Sequence, residues 1–276
     1  MLIDAHHHLW KHNDRDYAWM NSDGLGPLRR DFLADHLVQA THSSAVSAAI
    51  AVQARQDLAE TEWLLDIAAN HSLVKGVVGW VPLTSPDLPA VLERFAQHPS
   101  FKGVRHVVQD EPDDAFILRD DFNRGVTLLK HLELVYDILI YERHLPQAIE
   151  FVDRHPQQVF VLDHIAKPKI KENILQPWAD RIRELARREN VYCKVSGMAT
   201  EADWTSWTAQ QLRPYFDLVL EAFGPNRMLF GSDWPVLTLA ADYGTWVGAF
   251  QTFIADLSPH EQQLISSATA RQVYRL

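Results

Sequence analysis

The chain has 276 residues, 47% of them hydrophobic and 22% charged, enough apolar material for a sizeable core. Its 36 acidic against 26 basic residues leave a formal net charge of -10, which argues against nonspecific binding to nucleic acid or an anionic membrane. A lone cysteine, Cys193, excludes a disulfide framework and a Cys-rich zinc site.

Short apolar or β-branched runs recur along the chain at Leu2–Ala5, Val46–Val52, Val74–Val81, Phe101–Val108, Leu134–Ile140, Val159–Leu162, Val191–Val195 and Met228–Phe230. Between them, helical periodicity marks Phe32–His42, Leu58–His71, Leu88–Gln97, Asp121–His131, Leu145–His155, Leu175–Glu189, Gln210–Phe223 and Tyr243–Leu257. Strict alternation implies parallel strands joined by right-handed crossovers. Eight such units predict a (β/α)8 TIM barrel, taken as one domain over residues 1–276. A doubly wound sheet is the competitor, but no Gly-rich turn follows the first strand. Pro259–Tyr274 is expected to cap the barrel as an extra helix. Lys11–Arg30, with Tyr17, Trp19, Met20 and Pro27, forms an extended aromatic loop after the first strand, a candidate wall or lid.

In such a barrel the site lies at the C-terminal ends of the strands. Strand one ends in Ile3-Asp-Ala-His-His-His-Leu-Trp, where period-two alternation puts Asp4, His6 and His8 on one face and His7 on the other. Strand two ends with Gln53 and Arg55, strand four with Arg105, strand six with Asp163, His164 and, shortly after, Lys167. Strand seven ends with Lys194 and Ser196, strand eight with Asp233-Trp234-Pro235. His6, His8, His164 and Asp233 would converge as ligands for Zn2+ or a similar ion. They equally suit metal-free hydrolysis, with Asp233 as base and the histidines and Arg105 polarising a carbonyl.

These residues resemble the amidohydrolase superfamily. The stretches around His6-x-His8, Phe101-Lys-Gly-Val-Arg-His, Leu162-Asp-His-Ile-Ala-Lys-Pro and Leu229-Phe-Gly-Ser-Asp-Trp-Pro resemble its branch of sugar-lactone and aromatic-pathway lactone hydrolases, of the L-fucono- or L-rhamnono-lactonase type. The resemblance implies that Asp233 activates water, that His6, His8 and His164 hold a metal or the substrate carbonyl, and that Arg105 grips the lactone. It implies one divalent ion, Zn2+ first, in a mononuclear site of His6, His8, His164 and Asp233, with a metal-free site as the alternative. Arg105 stands where many relatives place a lysine that bridges two metals, and arginine cannot form that carbamate. His144 falls beyond strand five, at the start of the next helix.

The expected reaction is therefore opening of an aldono-1,4- or 1,5-lactone, such as L-fuconolactone, to the hydroxy acid. Trp10, Trp19 and Trp234 are candidates to stack on the sugar, and Gln53 and Lys167 to bind its polar groups. A decarboxylase of a small aromatic or dicarboxylic acid, a pyrone-dicarboxylate lactonase and a ligand-binding barrel without catalysis are the competing readings. The only partner expected is the small-molecule lactone, without nucleic acid or membrane, for a monomer or homodimer. With no signal peptide evident, the expected location is the cytoplasm.

Overall fold

The computed structural model describes residues 1–276. Eight parallel strands follow one another in order: β1 Leu2–His7, β2 Val46–Val52, β3 Val74–Gly79, β4 Phe101–His106, β5 Val135–Ile138, β6 Phe160–Leu162, β7 Val191–Val195 and β8 Met228–Phe230. The main helices between and after them are α1 Ala34–Thr41, α2 Leu58–Asn70, α3 Leu88–Ala96, α4 Asp120–Leu129, α5 Leu145–Arg154, α6 Trp178–Ala186, α7 Ala209–Phe223 and α8 Tyr243–Ile254. Every unit predicted from the sequence is present. Just past β8, the Asp233 amide donates to the His6 carbonyl (2.8 Å) and the His8 amide to the Trp234 carbonyl (2.7 Å), closing the (β/α)8 barrel.

The predicted C-terminal helix is broken into α9 Pro259–Gln263, a π-helical turn Leu264–Ala268 and α10 Thr269–Tyr274. Ser258 caps α9, its hydroxyl accepting the Glu261 amide, while Glu261 returns a bond to the Ser258 amide. The segment from Leu175 begins its helix only at Trp178, after Pro177.

Two apolar cores result. The larger lies between sheet and helices, where helix stripes such as Phe122, Val126 and Leu129 of α4 and Leu145, Ala148, Phe151 and Val152 of α5 are buried. The smaller fills the barrel lumen with Ile3, Ala5, Ile50, Val52, Val78, Val161 and Leu229, and α10 closes it from below with Val273 and Tyr274.

Simple alternation along β1 fails at one point. From Asp4 to His7 the strand advances three residues while its partner advances two, from Ala49 to Ala51. Such a bulge re-aims the side chains that follow it. Asp4 therefore does not share a face with His6 and His8. Its carboxylate accepts from Tyr243 of α8 (2.9 Å) and from the Ser232 amide and hydroxyl (2.8 and 2.6 Å), tying β1 to β8 from outside. Burial pushes Asp4 up to about 6 against the pull of these bonds. His7 is fully buried with neither ring nitrogen bonded to a protein group, and it stands outside the cluster made by His6 and His8. No helix is long and apolar enough to cross a membrane.

Candidate active site

Beyond the bulge, His6 and His8 reach the barrel mouth with their Nε2 atoms 3.2 Å apart. His8 Nδ1 lies 2.8 Å from the Val52 carbonyl, which can only accept, so Nδ1 donates there and the ring is oriented from behind. His164 is held by Ser196, Nδ1 to Oγ at 2.9 Å. One oxygen of Asp233 meets all three rings: 3.3 Å to His8, 3.7 Å to His6 and 3.8 Å to His164, each at Nε2.

His6 sits between two cations. Lys194 Nζ lies 3.2 Å from its Nδ1 and Arg105 Nη1 lies 3.3 Å from its Nε2. Asp163 is their shared counter-ion, with Oδ1 3.0 Å from Lys194 and Oδ2 3.0 Å from Arg105. Arg105 also donates to the Gln53 carbonyl, and Lys194 to Asp137.

The chain geometry that presents these groups is unusual. His164, Ile165, Ala166 and Lys167 have φ of 51°, 49°, 61° and 48°, a left-handed turn without glycine. Each such residue costs roughly 1–2 kcal/mol, so surrounding contacts must hold the turn. Two buried bonds do so: Trp178 Nε1 donates to the Ile165 carbonyl (2.7 Å), and Ser196 meets His164. Gly197, at φ +66°, completes the fit, because a Cβ there would lie 2.7 Å from His164 Nδ1.

Burial pushes His164 down to about 4 and His6 well below the usual imidazole value, so both rings are neutral at neutral pH. Burial works the other way on Asp233, but His164, then His8 and His6, outweigh it and hold the carboxyl below the ordinary range. Asp163 is likewise depressed: burial raises it, and Lys194, His6 and Arg105 overcome that. The site thus combines an ionised carboxylate with neutral imidazoles, which suits a base acting on water or a metal-binding set.

The donor spacing can be compared with what a zinc ion requires. Zinc–ligand bonds near 2.0–2.1 Å place tetrahedral donors about 3.3 Å apart. Within His6, His8 and Asp233 the separations of 3.2, 3.3 and 3.7 Å lie near that edge, while His164 meets only the Asp233 oxygen, at 3.8 Å. His8 and His164 are oriented from behind by a carbonyl and a hydroxyl, as metal-binding histidines usually are. His6, His8 and Asp233 form one group able to hold an ion, and His6, Asp163 and His164 another. The second is weaker as a metal site, because Lys194 and Arg105 already neutralise Asp163.

Above the cluster opens a cavity of about 600 Å³. Its wall includes His8, Arg105, His164, Lys167 and Asp233 from the strand ends, and Trp19 from the aromatic loop, with Tyr141 opposite. A cavity of about 690 Å³ adjoins it, sharing Tyr141 and Lys167, but contains none of the histidines.

The other residues expected at the site divide by position. Trp19 is 38% exposed at the mouth, and Lys167 stands over the Tyr141 ring at 5.3 Å. Trp10, expected to stack on substrate, is instead fully buried: its Nε1 donates to the Arg30 carbonyl (2.9 Å) and its ring packs on Phe32. Trp234 packs edge-on against the same Phe32 and is also enclosed in the wall. Gln53 is buried one layer behind the cavity, where its carbonyl anchors Arg105. His144 bonds to Asp114 (2.9 Å) and to the Tyr141 amide (3.2 Å), away from the cluster.

Sequence reasoning did not single out Asp137 or Tyr274, and it gave Asp163 and Lys194 no role. The available signal was an Asp and a Lys inside otherwise apolar strands, Val-Tyr-Asp-Ile and Val-Tyr-Cys-Lys-Val.

The amidohydrolase family model matches residues 3–276. A protein of Burkholderia multivorans named L-fucono-1,5-lactonase is 41% identical, over 100% of this chain and 96% of its own length. A protein of Burkholderia ambifaria with the same name is 36% identical, over 99% and 95%. The crystal structure of a Burkholderia multivorans amidohydrolase with bound zinc is similar with a TM-score of 0.95 and 40% identity, covering 100% of this chain and 99% of that one.

Proposed function

Since this chain belongs to the amidohydrolase family, we propose that it is a lactonase that opens a neutral sugar lactone, of the L-fucono-1,5-lactone kind, to its hydroxy acid. The observation that carries this reading is the ionised carboxylate of Asp233, free of any cationic side-chain partner and set among three imidazoles at the floor of a cavity wide enough for a sugar ring. The full-length likeness to two proteins named lactonases supplies the substrate class.

Asp233 takes a proton from water as the water oxygen bonds to the lactone carbonyl carbon. The tetrahedral adduct then collapses, the bond to the ring oxygen breaks, and Asp233 returns the proton to the departing alkoxide. Arg105 lines the same cavity, and its guanidinium charge stabilises the charge that develops on the carbonyl oxygen. His6, His8 and Asp233 would hold one divalent ion, with His164 beside Asp233 as the further donor, zinc being the ion in the similar structure. Bound there, it would supply Lewis-acid polarisation of the carbonyl and a more acidic water.

Charge balance favours a neutral substrate. The cavity wall carries three cations, Arg55, Arg105 and Lys167, and three carboxylates, Asp16, Asp110 and Asp233. Arg55 is paired with Asp16 and Arg105 with Asp163, which leaves only Lys167 without a carboxylate partner. A dicarboxylate would call for a surplus of converging arginines. Lys167 is placed to hydrogen-bond a hydroxyl or the carboxylate formed, and Trp19 to cover an apolar face of the sugar.

The test is acid release from a panel of lactones: L-fucono-1,5-lactone, L-rhamnono-lactone, several D-aldonolactones and a pyrone dicarboxylate. Rapid turnover of one or more sugar lactones is expected. Failure to exceed the spontaneous rate with every sugar lactone would overturn the reading.

A further inference from the structure

The lumen beneath the site contains a chain of buried polar groups that the proposed reaction does not use directly. Lys194 is fully buried, and its Nζ contacts Asp137, Asp163 Oδ1 (3.0 Å) and His6 Nδ1 (3.2 Å). Asp137 in turn accepts the Tyr274 hydroxyl at both oxygens, 2.9 and 3.1 Å. Tyr274 is the last residue of α10, and its ring lies 5.6 Å from the Lys194 ammonium. An unbroken path of contacts therefore runs from the C-terminal helix through Asp137 and Lys194 to the rear of His6.

Stability alone does not explain this arrangement. Ions moved out of water are costly, and a buried ion pair is commonly no more stabilising than the apolar side chains that would fill its space. The neighbouring lumen positions are apolar: Ile3, Ala5, Val135, Val161 and Leu229. The ions occur only where the lumen approaches His6. They act on that ring from both sides, since Asp163 binds Lys194 behind it and Arg105 in front of it.

We propose that Lys194 is a positioning residue for His6, and that Tyr274, through Asp137, is the peg by which the C-terminal helix sets the position of Lys194. The consequence for lactone opening rests on the function proposed above; the consequence for the His6 ring does not. Groups that orient a site histidine from behind typically change activity or metal affinity by about 10- to 100-fold when removed.

Tyr274→Phe tests this with little change of volume and no change of charge. Two readouts are needed: the ring 15N resonances of His6, assigned by their loss in His6→Gln, and steady-state kinetics on the best sugar lactone. The His6 ring resonances should move while those of His8 and His164 stay in place, and kcat should fall about tenfold with KM within twofold. Lys194→Met should produce the same His6 displacement, more strongly. If Lys194→Met does not fold, Tyr274→Phe decides alone. Unchanged His6 resonances in folded Tyr274→Phe would overturn the proposal, as would a loss confined to thermal stability. The NMR readout needs no substrate, so a failure of the lactonase reading leaves it intact.

Discussion

The amide of Asp233 donates to the carbonyl of His6 at 2.8 Å, and this bond belongs both to the closure of the barrel and to the geometry of the site. Carboxylate and imidazole are fixed relative to each other by backbone rather than by long side chains, so little ordering remains to be done when substrate enters.

Asp233→Asn should lower kcat by about 10²- to 10⁴-fold, the usual contribution of a general base, with a small effect on KM. Asn tolerates the left-handed conformation that Asp233 adopts at φ 59°, so the fold should persist. Acid release by purified variant, corrected for spontaneous opening, measures the loss. Turnover near that of the parent would remove Asp233 from the role of base.

The pH profile follows from the direction of the shifts. His164 is pushed down to about 4 by burial, so as pH falls it stays neutral past 6.5 and gains its proton only near 4. Asp233, also depressed, remains ionised over that range. The limb that these two groups impose on kcat/KM should therefore lie near 4. Measurement from pH 4 to 8 checks this, and inactivation that tracks protonation of His164 near 6.5 would contradict it.

Zinc should bind one ion per chain, read by competition with a coloured chelator. His8→Ala should weaken binding by at least about 100-fold, beyond what loss of a group behind a ligand usually causes. Free zinc at 100 times its Kd should stabilise the fold by about 2.7 kcal/mol. Equal affinity in parent and His8→Ala would place the ion elsewhere.

The two tryptophans should respond differently. Trp10→Ala should cost about 3–5 kcal/mol of stability, as large buried aromatics do, and leave the kinetics of the folded fraction unchanged. Trp19→Ala should leave the melting temperature unchanged and raise KM about fivefold, the equivalent of roughly 1 kcal/mol of ring contact. Thermal melts and kinetics on both variants separate a wall residue from a contact residue.

These variants also mark what could be read in advance. His6, His8, His164 and Asp233 were legible because each follows an apolar run, and the barrel fold brings strand ends to one face. Lys194 and Asp137 were not, since whether a mid-strand residue faces lumen or helices depends on register. The bulge at Asp4–His7 inverts that parity within one strand. The turn at His164–Lys167 left no mark either, because propensity disfavours four left-handed residues without glycine. Trp10 follows strand one almost as closely as His8 does. Only the return of the chain at Phe32, paired to Trp10 across two backbone bonds of 2.9 Å, reveals that it is enclosed.

The seam between β8 and β1 also orders events in time. His6 and His8 come with the first strand, yet their neighbour Asp233, like Tyr243 that holds Asp4, follows only after the seven later strands have been made. A nascent or C-terminally truncated polypeptide carries the two histidines without the carboxylate that completes their site. A chain ended before β8 therefore lacks both the Asp233–His6 backbone closure and the carboxylate that meets the three rings.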